Sequence, residues 1–372
     1  MWKGEVPSIL LPRRMQYNAD IIIVGAGLAG ACAAFVLSAE QDVQVLEAEA
    51  PASGASGAAA GLVNPLMGRR ARPVWRLEAA LDAVPALLEE AGAPELFPDT
   101  GVLRPAVEPD QVEPFQEGAD AHPDLATWLS PGAVRERFPA VRPDRGALFI
   151  PRGGAVNVGA MVRALLNAAE RRGATVETQA PVLYWRETPG AAVVEVDRGD
   201  DTEELRADRV LLALGQGFPP FPELRRLGLD GVKGQTVRVR RPDDLPETFP
   251  PMSGRGYIVP EGDTLVLGSN YDNNFDDLSP DPDATAYIRE KTSKMLPGVD
   301  QTPILDETAG VRVKHSNSNL PLLGPLPRRE RLWTFTALGS KGLLTAPHLA
   351  LDLPTYLDDP STLPQEVSTR SQ

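Results

Sequence analysis

Apolar residues along this chain follow two distinct periodicities. Residues 21–24, Ile-Ile-Ile-Val, form an unbroken β-branched run that predicts a strand buried on both faces, and the run leads directly into Gly25, Gly27 and Gly30. Small and apolar residues at helical spacing occupy 29–39, and a second apolar run, 43–46, stops at Glu47. Helical spacing returns over 155–170, followed by strands at 175–177 and 193–196 and by an apolar stretch, 208–217, that ends in two glycines. Strands alternating with helices in this way predict a parallel sheet. Between and beyond them, tracts at 101–106, 146–150, 232–240, 256–259 and 264–269 are rich in β-formers and interrupted by Pro and Gly, which predicts a second, mainly antiparallel sheet. A strand at 332–337 and a turn into a last helix complete the pattern, and the tail from Asp358 onward is expected to be poorly ordered. The fold class is therefore α/β.

The first turn carries chemistry. Gly25-Ala26-Gly27-Leu28-Ala29-Gly30 between a strand and a helix suits a dinucleotide: Gly25 permits the tight turn, Gly27 lets backbone approach a pyrophosphate, and Gly30 lets helix pack on strand. The helix start supplies unpaired N–H groups and a positive dipole end for phosphates. Glu47, 22 positions beyond Gly25, would accept hydrogen bonds from ribose hydroxyls, and its charge disfavours a 2′-phosphate. No second full glycine fingerprint exists, since Leu214-Gly215-Gln-Gly lacks the spacing, which argues against a separate nicotinamide domain.

Composition narrows the class. A length of 372 residues supports about two domains. The longest apolar runs are interrupted too often to span a membrane. One cysteine, Cys32, and three scattered histidines cannot form an internal disulfide or a thiolate zinc site, so no metal is expected and a reducing, cytoplasmic compartment fits. Residues 1–17 lack the pattern of a signal peptide and read as a local extension. The net charge of −14 disfavours nucleic acid as a partner, a local basic patch aside.

Several motifs together resemble the glycine oxidase and D-amino-acid oxidase family of flavoproteins across nearly the whole chain. They are the fingerprint from Gly25 to Glu47; Ala52-Ser-Gly-Ala-Ser-Gly-Ala-Ala-Ala-Gly-Leu-Val-Asn-Pro; Phe149-Ile-Pro-Arg-Gly-Gly-Ala-Val-Asn; Tyr257-Ile-Val-Pro with Leu265-Val-Leu-Gly-Ser-Asn-Tyr; Ala309-Gly-Val-Arg-Val with Pro321-Leu-Leu-Gly; and Gly339-Ser-Lys-Gly-Leu-Leu-Thr-Ala-Pro. The resemblance implies a Rossmann-like FAD-binding domain with a mainly antiparallel substrate domain. The FAD would be noncovalent, since 52–65 contain no histidine. It would be held by Gly25, Ala26, Gly27, Leu28, Ala29, Gly30, Glu47, Ala48, Ser53, Ser56, Gly61, Leu62, Val182, Ala213, Leu214, Gly215, Gly339, Ser340, Lys341, Gly342 and Leu343. The small residues of 53–61 would also let backbone amides come close to a flat ring and its phosphates.

The same resemblance implies an oxidoreductase that takes hydride from the carbon beside the nitrogen of a small amino acid or N-substituted glycine. Its substrate residues would be Arg312, Tyr257, Tyr271 and Lys341. Val311 and Val313 alternate with Arg312, so a strand here presents the arginine on the face opposite the valines. The electron acceptor, oxygen or another, and the oligomeric state stay open. An alternative is action on the carboxymethylaminomethyl group of tRNA wobble uridine, supported by the four arginines and tryptophan of 69–76; overall acidity and the absence of a methyltransferase half weigh against it. A non-catalytic flavin-binding protein is the third reading. Motif order predicts a discontinuous FAD domain of 18–95, 146–220 and 320–358, a substrate domain of 96–145 and 221–319, and terminal extensions 1–17 and 359–372.

Overall fold

The computed structural model describes residues 18–141 and 144–371, and the expected extension at 1–17 lies outside them. Ala19–Val24 is the central strand, flanked in parallel by Val43–Leu46 on one side and Thr202–Leu212 on the other, with Thr175–Glu177 beyond Val43–Leu46. Ile22, Ile23 and Val24 lie within two apolar clusters, one on each face, which accounts for the unbroken β-branched run. Thr202–Leu212 is long enough to hold two further neighbours: Ala192–Asp197 pairs antiparallel with its first part and Leu332–Thr336 parallel with its end. The helices Leu28–Leu37, Leu77–Ala91, Val158–Arg171 and Ala346–Leu351 pack together in one cluster over this sheet.

The second sheet has eight strands in the order Ile304–His315, Leu229–Arg240, Thr264–Gly268, Tyr257–Glu261, Met252–Ser253, Val102–Pro105, Ala147–Ile150, Thr127–Leu129. Apart from one parallel bridge, Met252 to Leu103, its pairings are antiparallel. Val237, Val239, Ile258, Leu265 and Leu267 share a cluster with Val134 of helix Pro131–Arg137 and Ile288 of helix Pro282–Ser293. Among the described residues, no helix is long and apolar enough to cross a membrane.

Three expectations require correction. The boundary at 146 puts 147–150 with the flavin segments, whereas Ala147–Ile150 pairs with Val102–Pro105 in the second sheet, as the β-rich tract at 146–150 predicts. The helix expected from 155 begins at Val158, because the Asn157 side chain accepts the Ala160 N–H at 2.8 Å and caps it there. The tail beyond Asp358 is also structured: Leu323 N–H donates to the Val367 carbonyl at 2.8 Å, Thr369 Oγ1 donates to the Pro325 carbonyl at 2.7 Å, and Leu363 and Val367 are buried.

Ending the chain after residue 358 would remove two buried apolar side chains, each contributing about 1.5–3 kcal/mol. Urea denaturation of the FAD-loaded protein should then show a loss of roughly 3–6 kcal/mol, and an unchanged midpoint would contradict the packing of this tail.

Candidate active site

Val24 lies level with Leu46 and Leu212, so three parallel strands end together beneath the glycine turn. Gly25 has φ +107°, and a Cβ on it would lie 2.5 Å from the Ala213 carbonyl oxygen; Ala213 in turn donates to the Val24 carbonyl at 2.8 Å. Residues 213 and 214 are thereby brought against the turn, with Gly215 following at φ +51°. A Cβ on Gly30 would stand 1.9 Å from the Gly25 carbonyl oxygen, so the helix Leu28–Leu37 starts directly on the turn. Ala26 N–H donates to the Glu47 carboxylate at 2.7 Å, and Glu49 N–H donates to its other oxygen at 3.0 Å. Leu28 N–H donates to the Ser56 hydroxyl at 2.9 Å. Among the described residues no protein acceptor meets the N–H groups of Gly27, Ala29 and Gly30, and Ala29 and Gly30 are buried.

The other expected cofactor residues converge here. Ala52 N–H donates to the Ala26 carbonyl at 3.0 Å, and the loop from Ala52 continues through a short helix, Ala55–Ala58, to Gly61 and Leu62. Gly61 approaches the Val156 carbonyl so closely that a Cβ would lie 1.6 Å away, and Leu62 pairs with Ala155. Gly342 lies against Leu28, and Leu343 is buried in the same cluster as Leu28. Val182 pairs with Val196 and packs against the apolar cluster that includes Val24, Leu46 and Leu212, while Ala48, Ser53 and Ser340 are exposed.

Strand Ile304–His315 carries Arg312 along this assembly. Its register with Leu229–Arg240 sets Gly310 opposite Gly234 and Arg312 opposite Val232. A Cβ on Gly310 would lie 2.9 Å from the Ala58 Cβ, so the Ala55–Ala58 helix sits on this strand; Arg312 is two residues on and occupies the same face. Gly339 N–H donates to the Val313 carbonyl at 2.8 Å, joining the 339–343 segment to the same strand. Arg312 lies across Gly234, where a Cβ would meet its Nη2 at 1.8 Å. It donates from Nη1 to the Ser269 hydroxyl at 3.3 Å and from Nη2 to the Asn270 carbonyl at 2.8 Å, with the Tyr271 ring 4.4 Å from its guanidinium carbon.

Arg312, Tyr271 and Lys341 line one cavity of about 300 Å³ together with Lys314, Asn319 and Gly339. Tyr257 does not line it. That side chain packs against the cluster of Ala60, Val259 and Val266, and burial pushes its hydroxyl up to about 12 while Arg312 and Ser269 pull the other way. Sequence reasoning also missed Lys291, which is buried and donates from Nζ to the Ser269 carbonyl. Burial brings Lys291 down to about 8, with Arg312 pushing in the same direction. Nothing local in the sequence links residues 269, 291 and 312.

The FAD dependent oxidoreductase family model, abbreviated DAO, matches residues 20–353. The chain belongs to this family. Among curated relatives of this FAD-dependent oxidoreductase is the "tRNA 5-methylaminomethyl-2-thiouridine biosynthesis bifunctional protein MnmC" of Idiomarina loihiensis, 30% identical over 357 residues, which cover 93% of this chain and 57% of that protein. The chain thus spans little more than half of that relative. Glycine oxidase of Geobacillus kaustophilus is 26% identical over 358 residues, covering 90% of this chain and 91% of the other. The crystal structure of that organism's glycine oxidase superposes with a TM-score of 0.79 at 24% identity, over 92% of this chain and 95% of its own.

The residues present fit FAD. Among the described residues, three N–H donors at the start of the helix Leu28–Leu37 lack protein acceptors, and only the Ser56 hydroxyl, at 3.3 Å, comes near the space beside Gly27. Glu47 stands at the end of the adjacent strand, where an adenosine ribose would find an acceptor. The buried thiol of Cys32 is pushed up by desolvation, away from reactivity. Glu47→Arg would remove the acceptor for Ala26 N–H and set a cation beside the positive end of the helix. Flavin retention after gel filtration should fall several-fold or more, in line with about 1–3 kcal/mol for an unsatisfied buried partner. Full occupancy in that variant would remove Glu47 from the cofactor site.

Proposed function

We propose that this oxidoreductase acts on glycine or an N-substituted glycine, with Arg312 as the anchor of the substrate carboxylate. The observation that carries the reading is a guanidinium on the cavity wall that, among the described residues, makes no ion pair and is held by neutral groups, the Ser269 hydroxyl and the Asn270 carbonyl. Those contacts and the Tyr271 ring fix its plane while leaving other N–H donors free for a bidentate carboxylate. When bound, FAD supplies the two-electron acceptor for the hydride from the substrate Cα. The resulting imine is hydrolysed by water to an oxo acid and an amine.

Hydride departs only from a carbon whose nitrogen has a free lone pair, so the neutral amine is the reactive form. Among the described residues no Asp, Glu or His lines the cavity, while Arg312, Lys314 and Lys341 do. This surplus of positive charge disfavours the ammonium form of the substrate. Lys341, on the segment assigned to FAD, would stabilise negative charge that develops on the cofactor. The discontinuous division between cofactor and substrate segments expected from motif order, amended at 147–150, is part of the same proposal.

A second reading places the N-substituted glycine on tRNA. It is favoured by the similarity to the Idiomarina tRNA 5-methylaminomethyl-2-thiouridine biosynthesis protein and by a hairpin of Leu66–Met67 with Arg72–Pro73 that exposes Arg69, Arg70 and Arg72. Buried Arg104 holds this hairpin by donating to the Leu66 and Gly68 carbonyls. The Arg104 strand is five places from the Arg312 strand, or roughly 24 Å at about 4.8 Å per strand. Salt-dependent filter binding of bulk tRNA, weakened in R69A/R70A/R72A, supports this reading, and no binding at low salt removes it.

For the leading reading, Arg312→Ala and Arg312→Lys should both retain FAD. Both should raise the glycine or sarcosine concentration that half-bleaches the flavin without oxygen, Ala more, by roughly 2–5 kcal/mol. Unchanged half-saturation in the alanine variant would remove Arg312 from the site. Gly234→Ala provides an independent check, since its methyl would displace the guanidinium: half-saturation should rise with flavin content retained, and an unaltered value would separate the arginine's position from substrate binding.

A further inference from the structure

We infer that the cavity selects substrates with a second anionic group, namely N-(carboxyalkyl)glycines, and that Lys314 receives that second carboxylate. The inference rests on the reading that Arg312 holds the first. On a chain of net charge −14, the cavity wall outside the segment assigned to FAD carries Arg312 and Lys314 and, among the described residues, no acidic residue. Like charges gathered around one small volume repel one another and favour an occupant carrying more than one negative charge.

Lys314 is the cation without an employment in the oxidation. Two residues from Arg312 on the same strand, it presents its side chain on the same face, about 6.8 Å along. Asp230 stands opposite it in the register with Leu229–Arg240, yet the two form no ion pair, and Asp230 does not line the cavity. Among the described residues the Lys314 ammonium has no hydrogen-bond partner, and its main chain is fixed by a bridge to Leu338. Asn319 adds an amide to the same wall. In an N-carboxymethyl glycine the carboxyl carbons are separated by four bonds of about 1.5 Å and span about 5 Å. That span, extended by a flexible lysine stem, matches a pair of cations two residues apart on one strand.

The chemistry balances without a further reagent. With iminodiacetate, two electrons leave with the Cα hydride to bound FAD, the nitrogen lone pair forms the C=N bond, and the N–H proton passes to water. Hydrolysis then yields glyoxylate and glycine, the second carboxylate remaining on the glycine.

The test compares iminodiacetate with N-ethylglycine, a neutral N-substituted analogue, by anaerobic flavin bleaching in the wild type, K314M and K314R. A binding measurement runs beside it, using the flavin absorbance change with oxydiacetate and methoxyacetate, ethers that lack the reacting nitrogen. The expected wild-type preference for the dianion is about tenfold or more in both measurements, reduced about tenfold in K314M and largely kept in K314R, as for one charge-assisted contact. A wild-type ratio near one, or a ratio unaltered by K314M, overturns the role of Lys314 while leaving the Arg312 reading standing if N-ethylglycine is oxidised. Failure of both amines to bleach the flavin overturns the two together.

Discussion

The contact between strand Ile304–His315 and the segments assigned to FAD governs the rest of this molecule. Gly310 lies under the Ala55–Ala58 helix with no room for a side chain, and three residues later the Val313 carbonyl accepts the Gly339 N–H. Between these fixed points stands Arg312. Because side chains alternate along a strand, a slip of one residue would turn the guanidinium to the far face and bring Val311 or Val313 to the cavity. The pairing of Gly310 with Gly234 therefore serves two purposes: one glycine admits the Ala55–Ala58 helix, and the other makes room for the guanidinium.

Electrostatics around that strand follow from what is missing as much as from what is present. An acidic chain leaves the cavity wall without a carboxylate, so its cations await charge from outside the protein. Behind the wall, Lys291 is buried against the Ser269 carbonyl, and the Ser269 hydroxyl in turn accepts from Arg312. Burial, with Arg312 pushing in the same direction, disfavours the Lys291 ammonium, while its N–H orders the Ser269–Asn270 turn.

The two ends of the site differed in how far the sequence disclosed them. The glycine turn was legible because strand, turn, helix start and Glu47 follow one another in a single continuous stretch, residues 21–47, and each residue type has a backbone reason to be there. Arg312 was legible through its alternation with two valines, and the same alternation extended by one step leads to Lys314. Lys291 was not legible, since no motif or spacing links a lysine on helix Pro282–Ser293 to the main-chain carbonyl of Ser269. The tail was misread because its polar residues conceal Leu363 and Val367, whose burial depends on a groove built by the strand Leu322–Pro325 and visible only in three dimensions. The strand carrying Tyr257 was likewise expected, but the packing of its side chain on the cluster of Ala60, Val259 and Val266 is set by residues distant in sequence.

The most direct test of the central claim is a crystal structure of the FAD-loaded protein with methoxyacetate, an unreactive analogue of N-methylglycine. The account predicts the carboxylate on the Arg312 guanidinium with two N···O separations of about 2.7–2.9 Å, and the ether oxygen toward the cofactor. A carboxylate bound elsewhere in the cavity, with Arg312 still directed at Ser269 and Asn270 alone, would contradict it.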